Sequence, residues 1–244
     1  MVDVKGKWAL ITGASRGVGE KIATFMASKG CNLILHSRST EHTKLLEQEI
    51  KALGVEVYSV EAELSDNDAV VRMLDEIEDK GTQVDIVFNN AAVQIAYRND
   101  YWMTPIQDFD ISFKINFIAI TTICYRLMPK MIERGFGRVI NTTSGIKDEP
   151  EQAAYSASKA ALDKFTKDLA SVVDGTDVMI NITDPGWCRT DLGGPHAPNS
   201  VDSVLPGIVV GAFINDKKSG RLLPAQDYTG MTLEEAVEKA HTIK

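Results

Sequence analysis

Thr12-Gly13-Ala14-Ser15-Arg16-Gly17-Val18-Gly19 is the stretch on which the reading of this chain turns. It follows an apolar, strand-like run, Trp8–Thr12, and opens a helical pattern in which Val18, Ile22, Phe25 and Met26 fall on one side. Strand, glycine-rich loop and amphipathic helix in that order are the context of a dinucleotide-binding turn. Gly13 permits the tight turn, Gly17 lets a pyrophosphate approach the backbone, and Gly19 lets helix and strand pack closely. The helix N-terminus adds free N–H groups and its dipole.

On either side of this stretch, short β-rich runs alternate with helical patterns along most of the 244 residues. Strands are expected at Trp8–Thr12, Asn32–His36, Val55–Val60, Val84–Phe88, Arg138–Thr142, Val178–Ile182 and near Arg221–Leu223. Between them Leu46, Ile50 and Leu53 form one apolar stripe, Val70, Leu74 and Ile77 another, and Ala157, Ala161, Leu162, Phe165, Leu169 and Val172 a third. That alternation predicts an α/β fold, a doubly wound (Rossmann) parallel sheet of about seven strands with helices on both faces, in a single domain over 1–244. The stretch from about Phe109 to Arg134 reads as one helix that is apolar on more than one side. Either a second subunit covers it or it packs centrally between the sheet and a neighbouring helix. The Pro- and Gly-rich run Gly186–Gly207 reads as a loop over the sheet edge.

The second strand ends in Leu35-His36-Ser37-Arg38-Ser39, with no Asp or Glu where an acidic side chain would accept hydrogen bonds from an NAD ribose. Arg38 stands there instead. With Arg16 it supplies guanidinium groups that suit a 2′-phosphate in charge and geometry, so NADP(H) is expected in preference to NAD(H). Further along, Tyr155-Ser156-Ala157-Ser158-Lys159 places a phenol and an ammonium four residues apart on one helix face. A free phenol titrates near pH ~10, and a neighbouring cation lowers that value, which would bring Tyr155 closer to use as a proton donor and acceptor at neutrality. A surface Tyr beside a surface Lys has the same spacing, so the pair gains its weight from the nucleotide loop and from a serine between them.

Taken together, the Thr12-to-Gly19 loop, Asn89-Asn90-Ala91 after the fourth strand, Asn116, Ser144, Tyr155-x-x-x-Lys159, and Pro185-Gly186 with Thr190 resemble the single-domain branch of the short-chain dehydrogenase/reductase family over nearly the whole chain. The resemblance implies a catalytic tetrad of Asn116, Ser144, Tyr155 and Lys159. Tyr155 would give its proton to a carbonyl oxygen and Ser144 would hydrogen-bond the same oxygen; Lys159 would tune the phenol and hold the nicotinamide ribose. Asn116 would hold a water linking Lys159 to solvent. The implied cofactor contacts are Gly13, Ser15, Arg16, Gly17, Val18 and Gly19 at the phosphates and Ser37, Arg38, Glu63 and Leu64 around the adenosine. Asn90, Ala91, Ala92, Tyr155, Lys159, Pro185, Gly186, Cys188 and Thr190 complete the set. Three features depart from the family pattern. Ala92 replaces a usual Gly, Glu63-Leu64 replaces Asp-Val, and Ser144 precedes Tyr155 by eleven residues, about two fewer than is common. Thr142 and Thr143 are rival hydroxyls to Ser144. The tail through Gly193-Gly194 looks more like the small carbonyl reductases than the fatty-acid-synthesis reductases.

The expected activity is an NADPH-dependent hydride transfer between the nicotinamide and a carbonyl or secondary alcohol, small aldehydes and ketones first, with Gln94, Trp187 and Trp102 as candidate substrate walls. A 3-oxoacyl thioester reductase or a polyol dehydrogenase would use the same tetrad, and a non-catalytic NADP-sensing regulator is the alternative of another class. An acidic carrier protein would want a basic rim, for which Lys130, Arg134 and Arg138 are candidates. The net charge of −8 and pI near 5.1 oppose nucleic-acid binding. The charged start runs straight into a strand, and no apolar run approaches the ~20 residues of a membrane helix, so neither secretion nor a membrane is expected. Cys31, Cys124 and Cys188 are far apart without a Cys-x-x-Cys, which fits reduced thiols in a cytoplasm. His36, His42, His196 and His241 show no ligand spacing; ordinary surface or loop histidines and no metal are expected. The broad apolar helix and the family's habit suggest a homodimer or homotetramer.

Overall fold

Each of the seven apolar runs forms a strand, because Val, Ile and Leu side chains alternate to the two faces of a sheet that is buried on both sides. The computed structural model describes residues 1–243. The strands are β1 (Trp8–Thr12), β2 (Asn32–Ser37), β3 (Val57–Glu61), β4 (Val84–Asn89), β5 (Gly137–Thr142), β6 (Val178–Asp184) and β7 (Leu222–Pro224). They are all parallel, in the order β3-β2-β1-β4-β5-β6-β7. The α-helices are α1 (Gly17–Ser28), α2 (Lys44–Lys51), α3 (Asn67–Asp79), α4 (Ile106–Phe113), α5 (Ala119–Arg134), α6 (Ala153–Val173) and α7 (Leu233–Thr242).

Strand alternation sorts the core into two layers. Ala9, Ile11, Leu33, Leu35, Ile86 and Phe88 meet α1, α2 and α7 on one face. Leu10, Ile34, Val87 and Val139 meet α3, α5 and α6 on the other. The chain builds outward from β1 through β2 to β3, then returns to place β4 on the other side of β1. The strand order therefore reverses between β1 and β4, and the crevice beyond their carboxyl ends is where an open α/β sheet takes its ligand.

Ile106–Arg134 is one run of 29 helical residues, three residues longer at its start than expected. It comprises α4, a π-helical turn at Lys114–Ile118, and α5. Ile120, Ile123, Cys124, Leu127 and Met131 pack under the sheet, while Ile118, Tyr125 and Ile132 are exposed. Central burial thus accounts for one side of this helix, and the other side carries a bare apolar stripe. Its length and composition would also suit a membrane span, which revises the expectation of no such run; the face packed on the sheet accounts for that composition. Leu53 is exposed because it lies past the end of α2, and Val172 because it stands on the outer face of α6, whose next residue, Val173, is buried against the sheet.

Candidate active site

Contacts that only glycine permits shape the loop after β1. Gly13 has φ of +66°, and a Cβ on it would stand 3.0 Å from Ala91 Cα; a Cβ on Gly19 would overlap the Gly13 carbonyl oxygen. The end of β4 is tied to the loop through Thr12, whose Oγ1 accepts the N–H groups of Asn90 and Ala91, both at 3.0 Å. Asn90 Nδ2 donates to Thr12 O at 3.0 Å. From the far side Thr190 lies against Gly17, where a Cβ would approach Thr190 Cγ2 to 3.2 Å. No side chain caps the first turn of α1. Its N–H groups therefore remain available to an anion, and this uncapped turn between close walls fits the phosphates of a dinucleotide.

Among the residues expected around an adenosine, Arg38 is exposed and has no acidic partner among the described residues. Arg16 pairs at 2.7 Å with Asp191, both well exposed. Ser37 Oγ donates to Ser39 O at 2.6 Å. Glu63 Oε1 accepts the Ser65 N–H and hydroxyl, both at 3.0 Å, so this carboxylate serves its own turn while Leu64 is buried. Ala92 is half-buried.

His36 departs from the surface or loop histidine expected. It is 2% exposed in β2. Its Nδ1 accepts the Gly13 N–H at 3.3 Å, which leaves the ring proton on Nε2 to be donated to Ala62 O at 3.1 Å. Its own carbonyl accepts the Ala14 N–H at 2.9 Å. Burial pushes its pKa down to about 4, so the ring is neutral near pH 7.

Tyr155 and Lys159 stand one turn apart near the start of α6, 6% and 2% exposed, with Lys159 Nζ 5.9 Å from the phenol ring centroid. Ser144 lies just past β5, half-buried, and its hydroxyl interacts with the phenol. Its rivals are otherwise placed. The Thr142 carbonyl accepts Lys159 Nζ at 2.8 Å, and Thr143 Oγ1 is buried near Asp163. The electrostatics correct the expectation that Lys159 lowers the phenol's pKa. Burial pushes Tyr155 up to about 12; the opposing pull comes from Ser144, and Asp184 adds to the rise. Lys159 is itself pushed down to about 8 by burial, against Asp163 and Asp184.

Asn116 sits in the π-turn, fully buried. Its Oδ1 accepts the Val93 N–H and its Nδ2 donates to Val93 O, both at 2.9 Å, and Nδ2 also donates to Ser158 Oγ at 3.0 Å. The amide is engaged at both ends by protein groups, and it pins the segment after β4 to α6 beside Lys159. Gly186, at φ of +73°, donates its N–H to Asp184 Oδ1 at 2.8 Å. The Pro185 carbonyl accepts Gln226 Nε2 at 2.8 Å and the buried Cys188 thiol at 3.2 Å. The Pro-Gly segment therefore joins the surroundings of Tyr155, through Asp184, to the nucleotide loop, through Thr190.

Of the candidate substrate walls, Gln94 is half-buried and next to the pinned Val93, and Trp187 is exposed with its Nε1 donating to Gly193 O at 2.7 Å. Trp102 is 86% exposed on a turn before α4. The basic rim fails. Lys130 pairs with Glu78 at 2.7 Å, Arg134 donates to Val84 O at 2.6 Å, and the wholly buried Arg138 pairs with Asp177 at 2.6 Å. The end of α5 and the starts of β4 and β5 lie at the amino ends of the strands, opposite the crevice.

A family model described as short chain dehydrogenase matches residues 7–200. A short chain dehydrogenase of Pseudocercospora fijiensis is 32% identical over 198 residues, which span 79% of this chain and 63% of that protein. The 3-oxoacyl-[acyl-carrier-protein] reductase FabG of Staphylococcus epidermidis is 30% identical over 213 residues, 86% of each chain. Among solved structures, an NAD+-bound xylitol dehydrogenase superposes with a TM-score of 0.80 at 24% identity, covering 91% of this chain and 98% of that one.

Proposed function

The chain belongs to the short chain dehydrogenase family, whose members are NAD(P)-dependent oxidoreductases, and from that premise we propose that it transfers hydride between NADP(H) and a carbonyl or secondary alcohol, with Tyr155 as general acid and base. The observation that carries this reading is a buried phenol beside Ser144 and Lys159, joined by the Pro-Gly segment to an uncapped, glycine-walled helix start.

When bound, the nicotinamide supplies or accepts the hydride. In reduction, Ser144 hydrogen-bonds the carbonyl oxygen and Tyr155, kept protonated near neutrality by its raised pKa, gives that oxygen a proton. Lys159 titrates near 8, so it is largely charged at pH 7 and stands close enough to stabilise the phenolate that remains. In oxidation the phenolate is the base. Asn116 acts by position, holding the segment after β4 against α6. Arg38, free of an acidic partner, supports a 2′-phosphate on the cofactor.

Small aldehydes and ketones are the proposed substrates. Reduction of a 3-oxoacyl thioester is a second reading, favoured by the relative at 30% identity, though Lys130 and Arg134 are engaged by Glu78 and the Val84 carbonyl and Arg138 is buried, which leaves a carrier protein without the rim expected for it. A polyol substrate would use the same groups. A cofactor sensor would have no need of Asn116, Ser144, Tyr155 and Lys159 together. A cytoplasmic setting is supported by three buried, unpaired cysteines, and a homodimer or homotetramer by the bare stripe on α5.

The test is NADPH oxidation against a panel of carbonyl compounds, with cofactor affinity measured by fluorescence titration. NADPH should bind at least ~tenfold tighter than NADH, and carbonyl reduction should fall as pH rises through about 8, where Lys159 loses its proton. Tight NADPH binding with no turnover across the panel would favour the sensor, and equal affinities for the two cofactors would overturn the choice of NADP(H).

A further inference from the structure

Asp184 ends β6 on the side of the sheet that carries α6, the side taken by Val178 and Ile180 in the same alternation. Neighbouring β5 runs beside it: Thr142 is in register with Thr183, and the Thr143 N–H donates to Thr183 O at 2.7 Å. Asp184 therefore faces the turn that carries Ser144. One carboxylate oxygen, Oδ1, accepts the Gly186 N–H at 2.8 Å. The other, Oδ2, finds no donor among the described residues and points at Gly145, where a Cβ would stand 2.8 Å from it. Gly145 is exposed and Asp184 half-buried, and with no Cβ at 145 the Oδ2 atom is left uncovered on that side, within reach of a ligand. Tyr155 and Lys159 both feel the charge, which raises the proton affinity of each.

We infer that Asp184 is a substrate-selecting residue of this site: its free Oδ2 accepts a hydrogen bond from a hydroxyl or ammonium group carried next to the reacting carbonyl, and it repels a carboxylate placed there. The inference rests on the reading of Ser144 and Tyr155 as the pair that holds the carbonyl. A half-buried carboxylate with a free oxygen forms a charge-assisted bond to such a donor, stronger than a neutral one. A ligand with a methyl group at that point leaves the oxygen without its donor, and a ligand with a carboxylate brings a second negative charge into partly desolvated surroundings. A site built around a substrate hydroxyl discriminates far more steeply against the analogue that lacks it than an apolar pocket does against an extra group.

The experiment compares kcat/KM for hydroxyacetone, acetone and pyruvate with NADPH, in the wild type and in Asp184→Ala and Asp184→Asn. The wild type should prefer hydroxyacetone to acetone by roughly tenfold or more, and Asp184→Ala should shrink that ratio to about threefold or less. Asp184→Asn keeps a side-chain oxygen for the Gly186 N–H, so it carries the test if the alanine variant fails to fold. It should raise the pyruvate-to-acetone ratio by roughly tenfold as the negative charge is lost. Acetone reduction with both ratios unchanged in either folded variant would overturn the role of Asp184 while leaving the reductase intact. No reduction of any of the three by the wild type would overturn the small-aldehyde and ketone reading and this inference with it.

Discussion

His36 joins three segments with one neutral ring: the Gly13 N–H on one nitrogen, the Ala62 carbonyl on the other, and its own backbone in β2. Its pKa falls from 6.5 in an open chain to about 4 in the fold. Between those values the unfolded chain holds a proton that the folded one refuses, so stability rises with pH across this window and is lost on acidification. The share due to His36 is about 2 kcal/mol between pH 7 and pH 5. Urea melts at the two pH values should show it in the wild type and lose that increment in His36→Leu; an equal slope in the variant would show that the ring is not what titrates. Sequence could not place this residue because its partners are main-chain groups more than twenty positions away. The signal available was a histidine inside an apolar strand that ends at the nucleotide crevice. Tyr155 was legible and its acidity was not: the Lys159 spacing is in the sequence, while the burial that outweighs it belongs to the fold.

The β1–α1 unit is the element whose geometry leaves least freedom. Gly19 has no room for a Cβ against the Gly13 carbonyl oxygen, and that oxygen is backbone, which cannot swing aside as a side chain can. Gly19→Ala should therefore shift the start of α1, weaken NADPH binding at least ~tenfold and lower stability by about 1–3 kcal/mol. Titration and thermal melting would check both, and an alanine variant with native affinity would contradict the close packing. The seven strands were readable because strands buried on both faces must be continuous apolar runs, as Ala9–Ile11 and Leu33–Leu35 are. The π-turn was not. Nothing in Lys114–Ile118 breaks a helical pattern, and the wider turn is instead accompanied by long-range bonds from Asn116 to Val93 and Ser158. The basic rim failed for a related reason: residue spacing says that Lys130, Arg134 and Arg138 are near one another, but only the strand direction says at which end of the sheet.

In the assembled molecule, the π-turn and α5 leave Ile118, Tyr125 and Ile132 bare at intervals of seven residues, and Val172 of α6 is also exposed. A second copy covering that stripe would bury it, so sedimentation should give a dimer or larger species and Tyr125→Glu should dissociate it. A monomeric wild type would contradict this. On the proposed function the fold also separates two tasks along the chain: β1 and α1 would hold the dinucleotide, and α6, more than a hundred residues later, would bring the proton donor. The two can be parted by removing one oxygen atom. In Tyr155→Phe, NADPH titration and steady-state carbonyl reduction measured on the same preparation should show native cofactor affinity with turnover down at least ~hundredfold. A phenylalanine variant that reduces carbonyls at the wild-type rate would take the proton-donor role away from Tyr155.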